Sequence, residues 1–301
     1  MSGTPPGLAR EGRAAVPGGS VWYGIAGPSD AAKTPLLVVH GGPGMSHDYL
    51  RPLADLADER PVVFYDQLDA GRSDRPNDPS NWNIDRFLAE IDALRSALSL
   101  DRVALFGNSW GGTLAAAYAA ARSSGRDHGL EALILSSPLI RTETWIADNA
   151  AYRDSLPAEV RETLDRCEAE GRTEDPAYLA AVDVFYRRHL CRADPWPEDV
   201  NRTFEMMNPD CYAAMWGPNE FTCTGVLKGY DGAAALSRID IPTLVTCGAF
   251  DEATPDSTRS FAARIPDADF ALFGASSHMA FVEERTAYIA ALRQFLHRIE
   301  A

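Results

Sequence analysis

The stretch that decides the fold is VALFGNSWGG, residues 103–112, in which an apolar run is followed by the motif G-x-S-x-G. Residues 103–106 are typical of a buried strand, and the residues after Ser109 have the apolar pattern of a helix. A serine at such a strand-to-helix turn is typical of a nucleophile elbow, whose tight turn requires small flanking residues and exposes the hydroxyl. The sequence therefore predicts Ser109 as a nucleophile, with the backbone N–H of Trp110 free to bind an oxyanion. An ordinary serine in a glycine-rich turn is the alternative.

Apolar runs alternate with amphipathic stretches on both sides of this motif. Five further runs predict buried strands: 36–40 (LLVVH), 62–65 (VVFY), 133–135 (LIL), 243–247 (TLVTC) and 270–273 (FALF). Helical patterns lie between the strands, over 84–98, 110–121 and 287–299. Continuous apolar strands with one-sided helices predict an α/β fold with a mostly parallel, doubly wound sheet. Residues 20–26 (SVWYGIA) predict an antiparallel strand at the sheet edge.

The alternation stops between about residues 141 and 230, where prolines punctuate helical patterns that carry many aromatic side chains. This segment predicts a helical subdomain with its own small core, a lid over the carboxyl edge of the sheet, or both. We therefore expect a core of residues 20–140 and 231–301 and an inserted helical lid of residues 141–230. Residues 1–19, rich in Gly, Pro, Ala and Arg, predict a flexible N-terminal arm.

A serine nucleophile needs a base, and the base needs a carboxylate that orients it. Asp251 and His278 each follow a predicted strand, in the chain order serine, acid, histidine that is typical of a nucleophile-elbow fold. Because the carboxyl ends of parallel strands lie at one edge of a sheet, we expect these side chains to meet Ser109 there. The predicted roles are general base for His278 and orienting acid for Asp251. Glu252 remains an alternative to Asp251.

The sequence HGGPG at 40–44 directly follows another predicted strand. Glycines permit close approach and unusual backbone angles, so a backbone N–H here is able to complete an oxyanion hole. We expect Gly42 to be this second donor, and a plain turn is the alternative. His40 is expected to anchor the loop by hydrogen bonds. The remaining histidines are interpreted as surface or satisfied structural residues: His47, His128, His189 and His297.

Composition limits the classes of partner. The formal net charge of −15 over 301 residues argues against nucleic acid and against an anionic membrane surface. No apolar run approaches the roughly 18 residues that span a membrane, and the N-terminus lacks the apolar stretch of a signal peptide. The five cysteines include no C-x-x-C pair, which predicts reduced thiols in a cytoplasmic protein and neither a disulfide framework nor a metal site.

Four motifs together resemble the proline iminopeptidase family of α/β hydrolases: HGGPG at 40–44, YDQLDAGRSD at 65–74, GNSWGG at 107–112 and GPNEFT at 217–222. The nearest likeness is to the branch of tricorn-interacting aminopeptidases and amino-acid amide hydrolases, from about Val21 to the C-terminus. The resemblance implies an α/β-hydrolase fold and a cofactor-free enzyme that releases an N-terminal amino acid. It also implies that Glu220 and Glu252 hold the free amino group of a small-molecule or short-peptide substrate. A desolvated ammonium group needs such carboxylate partners.

Two positions depart from the family pattern. Asp69-Ala70 stands where relatives usually have a glycine followed by a small residue, and Trp216 stands where an asparagine is usual. The leading hypothesis is a serine aminopeptidase that acts on N-terminal proline or a small residue such as alanine. The alternatives are an amino-acid amidase or deprotecting hydrolase acting on a non-peptide amine, an esterase, and a non-catalytic binding protein of the same fold.

Overall fold

One mixed sheet organises the molecule. The computed structural model describes residues 7–28, 33–122 and 129–301. Within them, eight strands form a sheet of order β1-β2-β4-β3-β5-β6-β7-β8: β1 (Arg10–Val16), β2 (Gly19–Ala26), β3 (Leu36–Val39), β4 (Val62–Tyr65), β5 (Val103–Asn108), β6 (Leu130–Ser136), β7 (Thr243–Gly248) and β8 (Ala268–Phe273). The β1–β2 and β2–β4 pairs are antiparallel, and every later pair is parallel. The predicted mostly parallel α/β sheet is thus confirmed.

Helices cover both faces of the sheet. They are α1 (Ile84–Ala97), α2 (Trp110–Arg122), α3 (Thr142–Asp154), α4 (Ala158–Ala169), α5 (Pro176–His189), α6 (Glu198–Glu205), α7 (Pro209–Met215), α8 (Pro255–Ala262), α9 (Ala280–Glu283) and α10 (Arg285–Glu300), with 3-10 segments at Asp48–Asp58, Pro79–Asn81, Val226–Gly229 and Ala233–Arg238. Leu37 and Val39 of β3 pack in the same apolar cluster as α1 and α2, whereas Leu36 and Val38 pack in the cluster that contains α10. Alternate side chains of this buried strand therefore pack into two different apolar cores, one on each face of the sheet. None of the helices in the described residues combines the length and the apolar composition that crossing a bilayer requires.

Two expectations about the sheet edges are wrong. The strand at 20–26 is antiparallel, but β1 lies outside it, so residues 10–16 form a strand and not a flexible arm. Its side chains are mostly exposed, and only Ala14 is buried, so the sequence offers no apolar pattern to predict it. Residues 1–6 lie outside the described residues. At the opposite edge, β8 was expected to be buried, but it is the last strand in the sheet of the described residues, and Leu272 is 46% exposed.

Helices α3 to α7 lie between β6 and β7, in the segment where the strand–helix alternation stops. Part of this segment has a small apolar core of its own, which contains Leu164 of α4, Tyr178 and Phe185 of α5, and Phe221. The end of α5 is joined to the sheet edge, because the carbonyl of His189 accepts the backbone N–H groups of both Glu252 and His278, at 3.3 and 3.1 Å. The inserted helices are therefore bonded directly to the two loops that follow β7 and β8.

Candidate active site

The turn at Ser109 has the strained geometry of an elbow. Ser109 has a left-handed φ of 55° between β5 and α2. A Cβ atom at Gly107 would lie 2.2 Å from the carbonyl oxygen of Gly111, and one at Gly111 would lie 2.1 Å from that of Val39. Only glycine fits at these two positions, as the sequence motif predicts. The half-buried Ser109 side chain is thereby presented at the carboxyl edge of the sheet.

Asp251 and His278 are joined by a buried hydrogen bond. His278 Nδ1 lies 2.8 Å from Asp251 Oδ1, and both side chains are almost fully buried. Asp251 also accepts hydrogen bonds from the Ser137 hydroxyl at 2.5 Å and from the backbone N–H of Ala253 at 2.8 Å. A carboxylate on Nδ1 places the hydrogen on that nitrogen, which leaves the Nε2 lone pair of the neutral ring free to act as a base.

The loop of Ser109 is connected to the Asp251–His278 pair through the end of β6. The Ser109 N–H donates to the carbonyl of Ser136 at 3.0 Å, and the next residue, Ser137, bonds Asp251. The Ser109 hydroxyl makes no hydrogen bond to His278 or to any other group of the described residues. Such bonds often form only when a substrate is bound. The structure therefore brings the three predicted residues to one sheet edge and joins two of them directly.

The HGGPG loop lies against the elbow. The Gly41 N–H donates to the Tyr49 hydroxyl, which donates to Asn108 Oδ1, both at 2.7 Å. Gly42 has a φ of 48°, a conformation that suits glycine. In the described part of the chain, neither the Gly42 N–H nor the Trp110 N–H has a hydrogen-bond acceptor. Two free N–H groups beside a serine are able to bind an oxyanion.

His40 anchors this loop, as the sequence predicts. Its Nδ1 lies 2.9 Å from the carbonyl oxygen of Gly41, and its Nε2 accepts the N–H of Gln67 at 3.0 Å. This pattern needs a neutral ring that donates from Nδ1 and accepts at Nε2. Burial lowers the pKa of His40 to about 4, so the ring is neutral near pH 7.

The other histidines have structural partners. His47 Nδ1 lies 2.8 Å from Asp66, His189 Nδ1 lies 2.8 Å from the Phe250 carbonyl, and His297 Nε2 lies 2.7 Å from Glu59. This confirms their interpretation as satisfied residues, and His128 lies outside the described residues. Among the described residues, no cluster of His, Cys, Asp and Glu side chains has the arrangement of a metal site.

Glu252 is the least satisfied polar side chain near these residues. It is fully buried, and neither carboxyl oxygen has a hydrogen-bond partner. Its Oε1 lies 3.7 Å from His278 Nε2, whereas the hydrogen bond at His278 Nδ1 is made by Asp251. The carboxylate that orients the imidazole is therefore Asp251 and not Glu252. Burial, together with the charges of Glu220 and Asp251, raises the pKa of Glu252 well above its usual range. A buried carboxyl group without a partner indicates a site that awaits a cationic or hydrogen-bonding ligand.

Glu220 lies on the same side of the site. Its Oε1 accepts the Tyr212 hydroxyl at 2.6 Å, and its carbonyl accepts Trp145 Nε1 at 2.9 Å. The edge of the Trp145 ring meets the His278 ring, with centroids 5.8 Å apart. Burial raises the pKa of Glu220. The two predicted amino-group carboxylates therefore act electrostatically on each other beside the imidazole.

The two departures from the family pattern are both packed into the structure. The Trp216 ring packs edge-on to Trp145, at 6.2 Å between centroids, and its Nε1 donates to the Asn219 carbonyl at 2.9 Å. Trp216 thus contacts the Trp145 ring, which in turn contacts His278. Asp69 has a left-handed φ of 66° and accepts Trp82 Nε1 at 2.9 Å, which fixes the loop that contains it.

Three residues that support this site were not predicted from the sequence. Ser137 bonds Asp251, Tyr212 bonds Glu220, and Trp145 contacts both Glu220 and His278. The only available signal was for Ser137, a polar residue at the carboxyl end of a predicted strand. A cavity of about 270 Å³ also lies among the inserted helices, lined by Met45, Tyr178, Tyr186, Trp196, Phe204 and Tyr212 among others. Met45 packs against Gly42, and Tyr212 bonds Glu220, so the cavity adjoins both parts of the site.

Comparison with known proteins shows the family and the fold. The family model of the alpha/beta hydrolase fold matches residues 34–285. A relative named proline iminopeptidase, from Heyndrickxia coagulans, is 42% identical over 267 residues, which cover 88% of this chain and 91% of the relative.

Two solved structures are similar over nearly the whole chain. The crystal structure of VinJ superposes with a TM-score of 0.93 at 34% identity and covers 97% of this chain and 100% of its own. The crystal structure of the proline iminopeptidase of Mycobacterium smegmatis gives a TM-score of 0.89 at 35% identity, with 96% and 98% covered.

Proposed function

The chain belongs to the proline iminopeptidase family of the α/β-hydrolase fold, and from this we propose that it is a serine aminopeptidase. It releases N-terminal proline, or a small residue such as alanine, from a short peptide or amide. The relatives that carry the name proline iminopeptidase match this chain over most of their length and support peptide-bond hydrolysis as the reaction.

The observation that carries the proposal is the buried, unpartnered carboxyl group of Glu252, 3.7 Å from His278 Nε2. An esterase that acts on uncharged substrates has no use for such a group, because a buried carboxylate without a partner is costly. A substrate α-ammonium group between Glu220 and Glu252 would satisfy it. The acyl carbon of the N-terminal residue is two bonds from this nitrogen, within reach of a nucleophile beside the imidazole.

In the proposed mechanism, His278 Nε2 takes the proton of Ser109 as its Oγ attacks the acyl carbon. Asp251 holds the imidazole through Nδ1 and stabilises its charged form. The N–H groups of Gly42 and Trp110 bind the oxyanion. His278 then protonates the leaving amine, and water, activated by the same base, hydrolyses the aminoacyl-enzyme. Residues 141–230 act as a lid whose Glu220 restricts the enzyme to free N-termini.

A panel of aminoacyl p-nitroanilides tests the proposal. Proline, alanine, glycine, leucine and phenylalanine derivatives are each supplied free and N-acetylated, with Ser109→Ala as the control. We expect the free proline or small-residue derivatives to be cleaved, the acetylated forms to resist, and the variant to be inactive. Equal cleavage of acetylated forms would contradict the roles of Glu220 and Glu252 and favour an esterase or amidase.

A further inference from the structure

The motif YDQLDAGRSD at 65–74 takes no part in the mechanism proposed above, yet its Gln67 contacts both sides of the proposed oxyanion hole. Strand β3 lies between β4 and β5 in the sheet, so the loop after β4 reaches past the carboxyl end of β3 to the start of α2. Gln67 is fully buried in this loop. It bonds both His40, which follows β3, and Trp110, which begins α2.

The side-chain amide of Gln67 joins these two neighbours. Its Nε2 donates to the carbonyl oxygen of His40 at 2.8 Å, and its Oε1 accepts the indole Nε1–H of Trp110 at 3.0 Å. A carbonyl oxygen only accepts and an indole N–H only donates, so a single orientation of the amide satisfies both. An ionised glutamate would lack the donor, and methionine, of similar length, has no N–H and only a weak acceptor.

The backbone of Gln67 acts on the second oxyanion donor through His40. Its N–H donates to His40 Nε2 at 3.0 Å, so the hydrogen of the neutral ring lies on Nδ1, which is 2.9 Å from the carbonyl oxygen of Gly41. That carbonyl and the Gly42 N–H belong to one planar peptide unit and point in opposite directions. The hydrogen bonds from Gln67 through His40 to Gly41 therefore fix the direction of the Gly42 N–H.

We propose that Gln67 is a positioning residue that holds the N–H groups of Gly42 and Trp110 in the geometry that binds the oxyanion. The inference rests on the function proposed above, in which these two groups form the oxyanion hole. Such donors lower the barrier when they are already aimed at the place where negative charge develops. Loss of the Gln67 amide should therefore weaken stabilisation of the transition state and leave substrate binding unchanged.

Gln67→Met separates this role from a purely structural one, because it keeps the length of the side chain and removes the amide. We expect kcat for the best p-nitroanilide of the panel to fall about tenfold or more, with KM changed less than about twofold. L-Prolinal, whose adduct with Ser109 places an oxygen in the oxyanion hole, should lose affinity by the same factor as kcat/KM. L-Prolinol forms no adduct and should bind as it does to the wild type. L-Alaninal and L-alaninol replace this pair if the panel favours alanine.

A second pair of variants leaves Gln67 in place. Trp110→Phe keeps the backbone N–H of the oxyanion hole and removes the indole donor that Gln67 holds, so kcat should fall about threefold to tenfold. Trp82→Phe is the matched control, since its indole Nε1 donates at 2.9 Å to Asp69 of the same motif, and it should leave kcat and KM unchanged. The double variant of Gln67→Met and Trp110→Phe should be no slower than Gln67→Met alone, because both changes break the same bond. Circular dichroism establishes that each variant is folded.

Three results would overturn the inference: an unchanged kcat in Gln67→Met, an equal loss of affinity for L-prolinal and L-prolinol, or an equal loss of kcat in the two tryptophan variants. If Gln67→Met does not fold, the tryptophan pair decides.

Hydrolysis of p-nitrophenyl acetate separates this inference from the proposed aminopeptidase, because the ester needs the oxyanion hole but carries no ammonium group. A wild type that cleaves the ester and none of the aminoacyl anilides would contradict the aminopeptidase, while a tenfold slower Gln67→Met on that ester would still support the role of Gln67. No hydrolysis of either class of substrate would overturn both.

Discussion

The Ser137 hydroxyl donates a 2.5 Å hydrogen bond to Asp251 Oδ2, although the two residues follow different strands. The other oxygen of Asp251 faces His278 Nδ1. Ser137 is therefore a positioning residue that fixes the plane of the carboxylate, and hence the direction of the imidazole. Its φ of 48° leaves little freedom for other side chains at this position.

Ser137→Ala should lower kcat about tenfold with little change in KM, because a hydrogen bond to a buried charged group contributes about 1.5–3 kcal/mol. Kinetics on the best p-nitroanilide of the panel provide the measurement. Ser137→Gly is the matched control, since it also lacks the hydroxyl but accommodates the positive φ. If glycine restored the rate, backbone strain and not the lost hydrogen bond would be the cause.

Ser109→Ala and His278→Ala should each lower kcat by several powers of ten, about 10⁴-fold or more, because the two residues act as one unit. The double variant should be no slower than either single variant. Additive losses, measured under single-turnover conditions, would show that the two side chains act in separate steps.

Tyr212→Phe should raise KM for free aminoacyl substrates several-fold, because Glu220 loses the hydroxyl that orients its carboxylate. Glu220→Gln should raise KM further, since it removes the charge itself. The rate at which phenylmethanesulfonyl fluoride, a reagent without an ammonium group, labels Ser109 serves as the control. A loss of labelling as large as the loss of activity on free substrates would assign Tyr212 and Glu220 to the structure of the lid.

Acid should destabilise the fold through His40. Burial lowers the pKa of His40 from its ordinary value of 6.5 to about 4 in the native chain. Between those pH values, the unfolded chain therefore binds more protons at this site than the native chain does. The contribution of the neutral ring is present above pH 6.5 and is lost as the pH falls toward 4. The difference in unfolding free energy between wild type and His40→Gln should shrink by about 3 kcal/mol across this window, measured by urea titration. A constant difference would show that His40 does not carry this linkage.

Gly111→Ala should destabilise the fold by about 3 kcal/mol or more, because its methyl group would meet the backbone carbonyl of Val39. Gly229→Ala is the matched control, since nothing lies within 4 Å of a Cβ atom there. Thermal unfolding compares the two. Similar melting temperatures would mean that the turn at Ser109 relaxes to admit a side chain.

Much of the architecture was predictable because it follows from local patterns of apolar and polar residues. The apolar runs at 36–39, 62–65 and 103–106 are continuous since these strands are buried on both faces, and they predicted the central sheet. Strand β1 was missed because an exposed edge strand needs no apolar pattern. The burial of β8 was overestimated because the order of strands in a sheet, which decides the edges, is set by long-range pairing.

The sequence by itself determined the elbow, the chain order of Ser109, Asp251 and His278, and the glycines that leave room for backbone atoms. These features follow from short-range sterics and from the rule that parallel strands end at one edge. Only the tertiary structure decided that Asp251, and not Glu252, holds His278 Nδ1, that Ser137 supports it, and that Glu252 remains buried without a partner beside Nε2. The side chains of adjacent residues on one loop point in different directions, which a local pattern does not reveal. The electrostatic field that acts on each carboxylate comes from charged groups on elements far apart in sequence.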